Sequence, residues 1–172
     1  MPELDNGDIL GQREVSILDT DTGGSLFEKI SITGAELLAD TIAKIQSGTV
    51  ERIPQDESFA SYFGYPSDQD TRIDWERGAE RVRNQIRGLM PGRGAWTVYK
   101  GTQVHLLHAE IAAHPSTETP GKIVGHSPKQ ITVATSTYDL IIDEISLNGY
   151  YPTPVSQLFM HHGVNTEASF EL

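Results

Sequence analysis

Cysteine is absent from this 172-residue chain. That excludes disulfide bonds, thiolate metal sites and a cysteine nucleophile, and it fits a cytoplasmic location. Long apolar runs are absent too, since no stretch reaches the roughly 18 residues that a membrane-spanning helix requires. The first twenty residues carry Glu3, Asp5, Asp8, Glu14 and Asp19. They include no apolar segment flanked by basic residues, so the pattern of a signal or transit peptide is missing from them. Basic residues are scarce, 13 Lys and Arg against 24 Asp and Glu, for a net charge of -11. Residues 1–69 hold 4 basic against 13 acidic side chains, and residues 70–172 hold 9 against 11. The broad basic footprint of a free-standing nucleic-acid binder is therefore missing. What remains is a local cluster of Arg72, Arg77, Arg81, Arg83, Arg87 and Arg93. No glycine-rich phosphate loop or dinucleotide fingerprint occurs, so nucleotide binding has no motif behind it.

The composition that is present, 37% hydrophobic and 22% charged, is that of a globular protein rather than a disordered or fibrous one. Residues 9–18 read as a strand, because Val15 and Ile17 alternate with Glu14 and Ser16. Asp19, Thr20, Asp21 and Thr22 then offer cap chemistry for a helix from about Gly24 to Ser47. Its apolar face is Leu26, Ile30, Leu37, Leu38, Ile42 and Ile45, and Gly48 is its stop. Gly34 in its middle marks a close contact or a break. Residues 49–72, with Pro54, Gly64 and Pro66, read as a linker between a remnant domain at 1–48 and a second domain at 73–172.

In that second domain Trp75, Ala79, Val82, Ile86 and Leu89 recur at helical spacing behind Asp74 as N-cap, and the helix ends before Pro91. The pattern then switches to short strands at 95–100, 103–112, 121–125, 130–135 and 138–147. Lys100-Gly101-Thr102 reads as a tight hairpin turn. Five such strands suggest a small barrel of the OB type, or a sandwich fragment. Thr153-Pro154 reads as the start of a short helix through Phe159.

Asp5 lies in a polar, glycine-containing loop, a placement from which a carboxylate can face a substrate; the plain alternative is an exposed turn residue. Asp8 reads as a turn partner accepting backbone N–H bonds. His105 and His108 stand three apart on a strand and so point to opposite faces, which disfavours a shared metal, and no metal site is expected. His161 and His162 read as solvated. The arginines after Trp75 fit a solvated face balanced by Glu76 and Glu80 better than a phosphate track.

Four stretches resemble, in order and spacing, the methionyl-tRNA formyltransferase family: Leu4-Asp5-Asn6-Gly7-Asp8-Ile9-Leu10, Asp21-Thr22-Gly23-Gly24-Ser25-Leu26, Pro54-Gln55-Asp56-Glu57-Ser58 and Arg72-Ile73-Asp74-Trp75. Ile86-Arg87-Gly88-Leu89, Pro91 and Gly94-Ala95-Trp96-Thr97 continue the match, as do Pro120-Gly121 and Val133-Ala134-Thr135; it fades after about Tyr150. The resemblance covers only the second half of the family's usual length.

It implies the α/β tail of a Rossmann-like formyltransferase domain followed by a small OB-like β-barrel domain. The implied reaction is transfer of a formyl group from 10-formyltetrahydrofolate to an amine. Asp5 matches the family's catalytic Asp, with Leu4, Asn6 and Gly7 beside the folate and Arg83, Arg87 and Arg93 toward a nucleic-acid acceptor. The family's catalytic Asn and His, and most of its folate pocket, have no counterpart in these residues. The expected partner is therefore an N-terminal formyltransferase half or a separate folate-binding chain, as from an internal start in a longer or split gene, and the chain alone is expected to be inactive. The expected acceptor is Met-tRNA or an amino-sugar nucleotide; Phe63-Gly64 after Ser61-Tyr62 resembles the amino-sugar enzymes. The reading from a different class is a non-catalytic OB-like binding module or partner subunit.

Overall fold

The computed structural model describes residues 5–147, 149, 151–162 and 168–171, with the side chains of Phe159, His161 and His162 left out. The described chain forms two compact units. One comprises residues up to Asp21 together with Ser25–Tyr65, and the other comprises Thr22–Gly24 together with the residues from Pro66 onward. No helix among the described residues is long and apolar enough to cross a membrane.

The first unit is built on helix α1, Gly23–Ser47, which buries none of its residues. Its end is fixed at the expected glycine: Gly48 takes a φ of 71°, and the Gly48 and Thr49 amides return to the carbonyls of Ile45 and Lys44, closing the last turn where a side chain would be strained. Gly34 neither breaks the helix nor makes a close approach, because a Cβ there would meet only open space. Residues 11–18 run without strand pairing, a correction to the strand expected there. A strand needs a neighbour to accept and donate its backbone hydrogen bonds, and the segment finds one only at its start, where Ile9 pairs antiparallel with Ile53. Beyond that point Arg13 ties it to α1 through Glu36 (2.8 Å) and Asp40 (3.1 Å).

The second unit holds the hydrophobic core. After the four-residue helix α2, Asp68–Thr71, a 3-10 turn at Trp75–Arg77 leads into α3, Ala79–Gly88. The single helix expected here is thus two pieces. Gly78 takes a φ of 79° between them, and the first amide of α3, that of Ala79, donates to the Thr137 hydroxyl at 3.0 Å. A cap borrowed from a distant loop leaves no periodic trace in the sequence. The apolar stripe behaves as expected: Trp75, Ala79, Val82 and Ile86 are all buried.

Five strands follow: β1 Ala95–Tyr99, β2 Thr102–Pro115, β3 Ile123–His126, β4 Ile131–Val133 and β5 Tyr138–Ser146. Lys100 and Gly101 both take positive φ, 47° and 77°, and this two-residue turn joins β1 to β2 as a hairpin whose twist matches that of the strands. Every ladder is antiparallel, in the order β1-β2-β5-β4-β3.

The sheet is open. A barrel of the expected kind would need β1 and β3 to pair, and they form no ladder among the described residues. Residues 168–171 bond to both edges instead. The Ile123 amide donates to Ala168, Phe170 to Gly121 and Glu171 to Val98, so the edge groups that closure would have satisfied find this segment. Phe170 fills the core beneath, stacked on Trp75 (5.6 Å between centroids) and edge-on to Tyr99 (5.4 Å). The last helix, α4, Val155–His162, runs a turn or so beyond the expected end at Phe159 and buries Val155 and Leu158.

Candidate functional site

Asp5 sits in the first unit, in a left-handed turn with a φ of 64°. Such a φ is uncommon outside glycine, though Asp tolerates it better than most residues. The loop is held from across the unit. Ile9 and Ile53 exchange both backbone hydrogen bonds (2.8 and 3.0 Å). Two residues further on, Nε2 of Gln55 donates to the carbonyls of Asp5 and Gly7, each at 2.7 Å. Asp8 faces Arg52 at 3.9 Å, a looser contact than the backbone turn expected of it.

The same juxtaposition opens a cleft of about 690 Å³ between the loop (Asp5, Asn6, Ile9) and residues 54–57 and 59–62. Asp56 caps the 3-10 turn Glu57–Phe59 by accepting from the Ser58 amide at 2.9 Å. Hydrogen bonds from the Ser58 side chain and backbone hold the Asp56 carboxyl below its ordinary range. Among the described residues the cleft wall carries three carboxylates, Asp5, Asp56 and Glu57, with the aromatic residues Phe59 and Tyr62, and no cationic side chain. Chemically it favours a cationic or hydrogen-bond-donating group, such as an amine, over an anion.

Among the described residues of this unit Asp21 is the one buried charge, 5% exposed. Lys29 bonds both of its oxygens (2.6 and 2.7 Å), the Leu18 amide and the Ser25 hydroxyl also donate to it, and together they bring its carboxyl down to about 2. These bonds fix the entry to α1. The glycines that follow it act in the second unit: a Cβ on Gly23 would stand 2.4 Å from the Gly88 carbonyl oxygen, and one on Gly24 would stand 2.7 Å from Cδ of Pro91.

In the second unit Arg83 and Arg87 lie half-buried one turn apart on α3, with Arg87 Nε donating to Asn84 (2.8 Å), and Arg93 is exposed in the loop before β1. Arg93 borders a separate cavity of about 270 Å³ with Trp96, Gln103 and His105. His105 is buried, and Nδ1 has no hydrogen-bond partner. Burial pushes its ring below the usual imidazole value, against the Arg93 and Gly94 backbone groups that favour the charged form. His108 is exposed and pairs with Asp143 at 2.6 Å, so the two histidines serve different surroundings. Among the described residues no three His, Asp or Glu side chains converge as a metal site would require.

Residues 67–163 match the formyl transferase C-terminal domain family. The chain belongs to this family. The formyl transferase match extends beyond that domain: methionyl-tRNA formyltransferase from Clostridium novyi is 34% identical over 96% of this chain, and the one from Halalkalibacterium halodurans is 40% identical over 77%. These alignments take in 53% and 42% of the respective relatives, so the chain spans about half the length of the curated relatives it matches. Among solved structures, HypX from Aquifex aeolicus, determined in complex with tetrahydrofolic acid, superposes with a TM-score of 0.69 at 16% identity, covering 92% of this chain and 28% of that one. At that identity the likeness establishes the fold.

Of the residues expected from the sequence, Asp5 and Asn6 line one cleft and Gly7 lies in the same loop, while Leu4 lies outside the described residues. The three arginines stand in the other unit. Gln55 gives no signal of this role within Pro54-Gln55-Asp56-Glu57-Ser58, because its partners are fifty and forty-eight residues away, a separation that no local pattern encodes.

Proposed function

We propose that the chain is the C-terminal portion of a 10-formyltetrahydrofolate-dependent formyltransferase acting on the amine of Met-tRNA. The observation that carries this is the carboxylate-lined cleft formed by the Asp5 loop, in a chain aligned along 96% of its length with a methionyl-tRNA formyltransferase. Residues 1–48 are read as the tail of the catalytic domain, 49–72 as its linker and 73–172 as the C-terminal domain.

In the reaction the acceptor nitrogen attacks the formyl carbon, the bond from that carbon to the folate nitrogen breaks, and the proton lost by the amine passes to the departing folate. Asp5 orients and stabilises the family's His, which lies outside this chain's aligned half, and helps to manage that proton. The cleft suits the acceptor amine. It suits the anionic glutamyl end of folate less well, because the described residues of its wall carry carboxylates and no cation. That end of the co-substrate, with most of its pocket, is assigned to the N-terminal half, while Leu4, Asn6 and Gly7 border its neutral ring system. The exposed Ile17, Leu18, Phe27 and Ile32 of the first unit supply apolar surface for that half to cover. Arg83, Arg87 and Arg93 contact the acceptor's phosphates.

The test is formyl transfer to Met-tRNA by this chain mixed with the N-terminal half of the Clostridium novyi relative. Activity that needs both pieces, and that falls by at least about 100-fold on Asp5→Asn, is the expected result. Unchanged turnover in the variant would refute the assignment. Transfer to an amino-sugar nucleotide in place of Met-tRNA would change the acceptor alone.

A further inference from the structure

We propose that Gln55 is the positioning residue for Asp5, acting by clamping the backbone of the loop that carries it. The inference rests on the catalytic reading of Asp5 given above. Its geometric basis is independent of that reading. One side-chain amide supplies both of its hydrogens, one to the carbonyl of Asp5 and one to that of Gly7, at 2.7 Å each. The two carbonyls therefore converge on a single nitrogen, which fixes the three-residue turn between them. Such a constraint favours the turn at Asp5, because its φ of 64° lies in a region that costs a residue with a Cβ some strain, although Asp bears it better than most. The clamp is in turn anchored: Ile53, two residues before Gln55, exchanges both backbone hydrogen bonds with Ile9, two residues after Gly7. Loop and linker thus form a small closed frame, with the cleft on one side of it.

The chemistry of the site explains why an amide is required. Glu at this position has the same reach but presents oxygens to two carbonyl oxygens, so it repels the frame that Gln holds together. Asn is one methylene shorter and cannot span both acceptors. A carboxylate that orients a catalytic group works only within a narrow range of position, and a displacement of about 1 Å costs on the order of 100-fold in rate.

The experiment compares Gln55→Glu with the unaltered chain, each in complex with the N-terminal half of the Clostridium novyi relative, by two readouts. In the first, the amides of Asn6, Gly7 and Ile9 exchange with solvent at least about 10-fold faster in the variant. In the second, kcat for formyl transfer falls on the order of 10- to 100-fold with KM for Met-tRNA within about 2-fold, and adding Gln55→Glu to Asp5→Asn lowers the rate no further. Unchanged exchange would overturn the clamp. Faster exchange with unchanged kcat, or a further loss in the double variant, would overturn the positioning role. An unaltered complex that transfers no formyl group would overturn the functional reading and the positioning role with it, while the exchange data still decide whether the clamp exists.

Discussion

Isoleucine shows how differently the two units use the same chemistry. In the second unit Ile73, Ile86, Ile123, Ile131, Ile142 and Ile145 are 1% exposed or less, whereas in the first Ile17, Ile30, Ile32, Ile42, Ile45 and Ile53 are 46–63% exposed. The sequence patterns that place them are comparable, since α1 and α3 both carry apolar residues at three- and four-residue spacing. What differs is the opposing surface. Helix α3 has a five-stranded sheet to lie on, while no described part of the first unit buries a residue of α1. Amphipathic periodicity states which face is to be covered and is silent on what covers it. The candidate site follows the same division: its loop belongs to the poorly buried unit, where a specific clamp has to supply the order that a core supplies elsewhere.

The sharpest way to break this comparison is to truncate one apolar side chain in each unit. Phe170→Ala removes a ring packed on Trp75 and Tyr99 and should destabilise the second unit by about 3–5 kcal/mol. Tryptophan fluorescence in urea would read the change, because both tryptophans, Trp75 and Trp96, lie in that unit. Ile42→Ala, at 46% exposure, should shift stability by less than about 0.5 kcal/mol. Comparable losses at the two positions would show that the first unit has a core after all.

A smaller effect of opposite sign is expected at Gly34. An alanine there meets open space in the middle of α1, so Gly34→Ala should stabilise the helix by about 0.5–1 kcal/mol, measured as slower amide exchange along α1. A loss would mean that something packs on that face.

The smallest change is local and comes from acid. The folded-state value of Asp21 is lowered, from 3.8 to about 2, chiefly by its hydrogen bond with Lys29. Its contribution is therefore complete above about pH 5 and is lost progressively as the pH falls from about 5 toward about 2. The amides of Leu18 and Asp21 should lose protection across that window while the core of the second unit keeps its own. In Asp21→Asn the loss should no longer depend on pH there.

Legibility followed the range of the interactions. Residues 95–147 were readable strand by strand, because alternation and turn residues are local signals, and so were Gly48 as a helix stop and Trp75, Val82 and Ile86 as core. The break at Gly78 was not readable, since the hydroxyl that caps α3 comes from Thr137, fifty-eight residues on. The segment at 11–18 alternates as a strand does yet forms none, because alternation cannot provide the neighbouring strand.

Of the candidate site, the sequence by itself determined the residue types: Asp5 within a motif whose order and spacing resemble one enzyme family, and an acidic excess in residues 1–69. Tertiary structure alone decided that Gln55 bonds the Asp5 loop, that residues 54–57 and 59–62 form the opposite wall, and that Phe170 fills the core beneath an open sheet. The reason is physical. Residue types and local periods fix what each group can do and which way its neighbours point, but a hydrogen bond or packed ring between residues fifty or more positions apart exists only once the chain between them has folded.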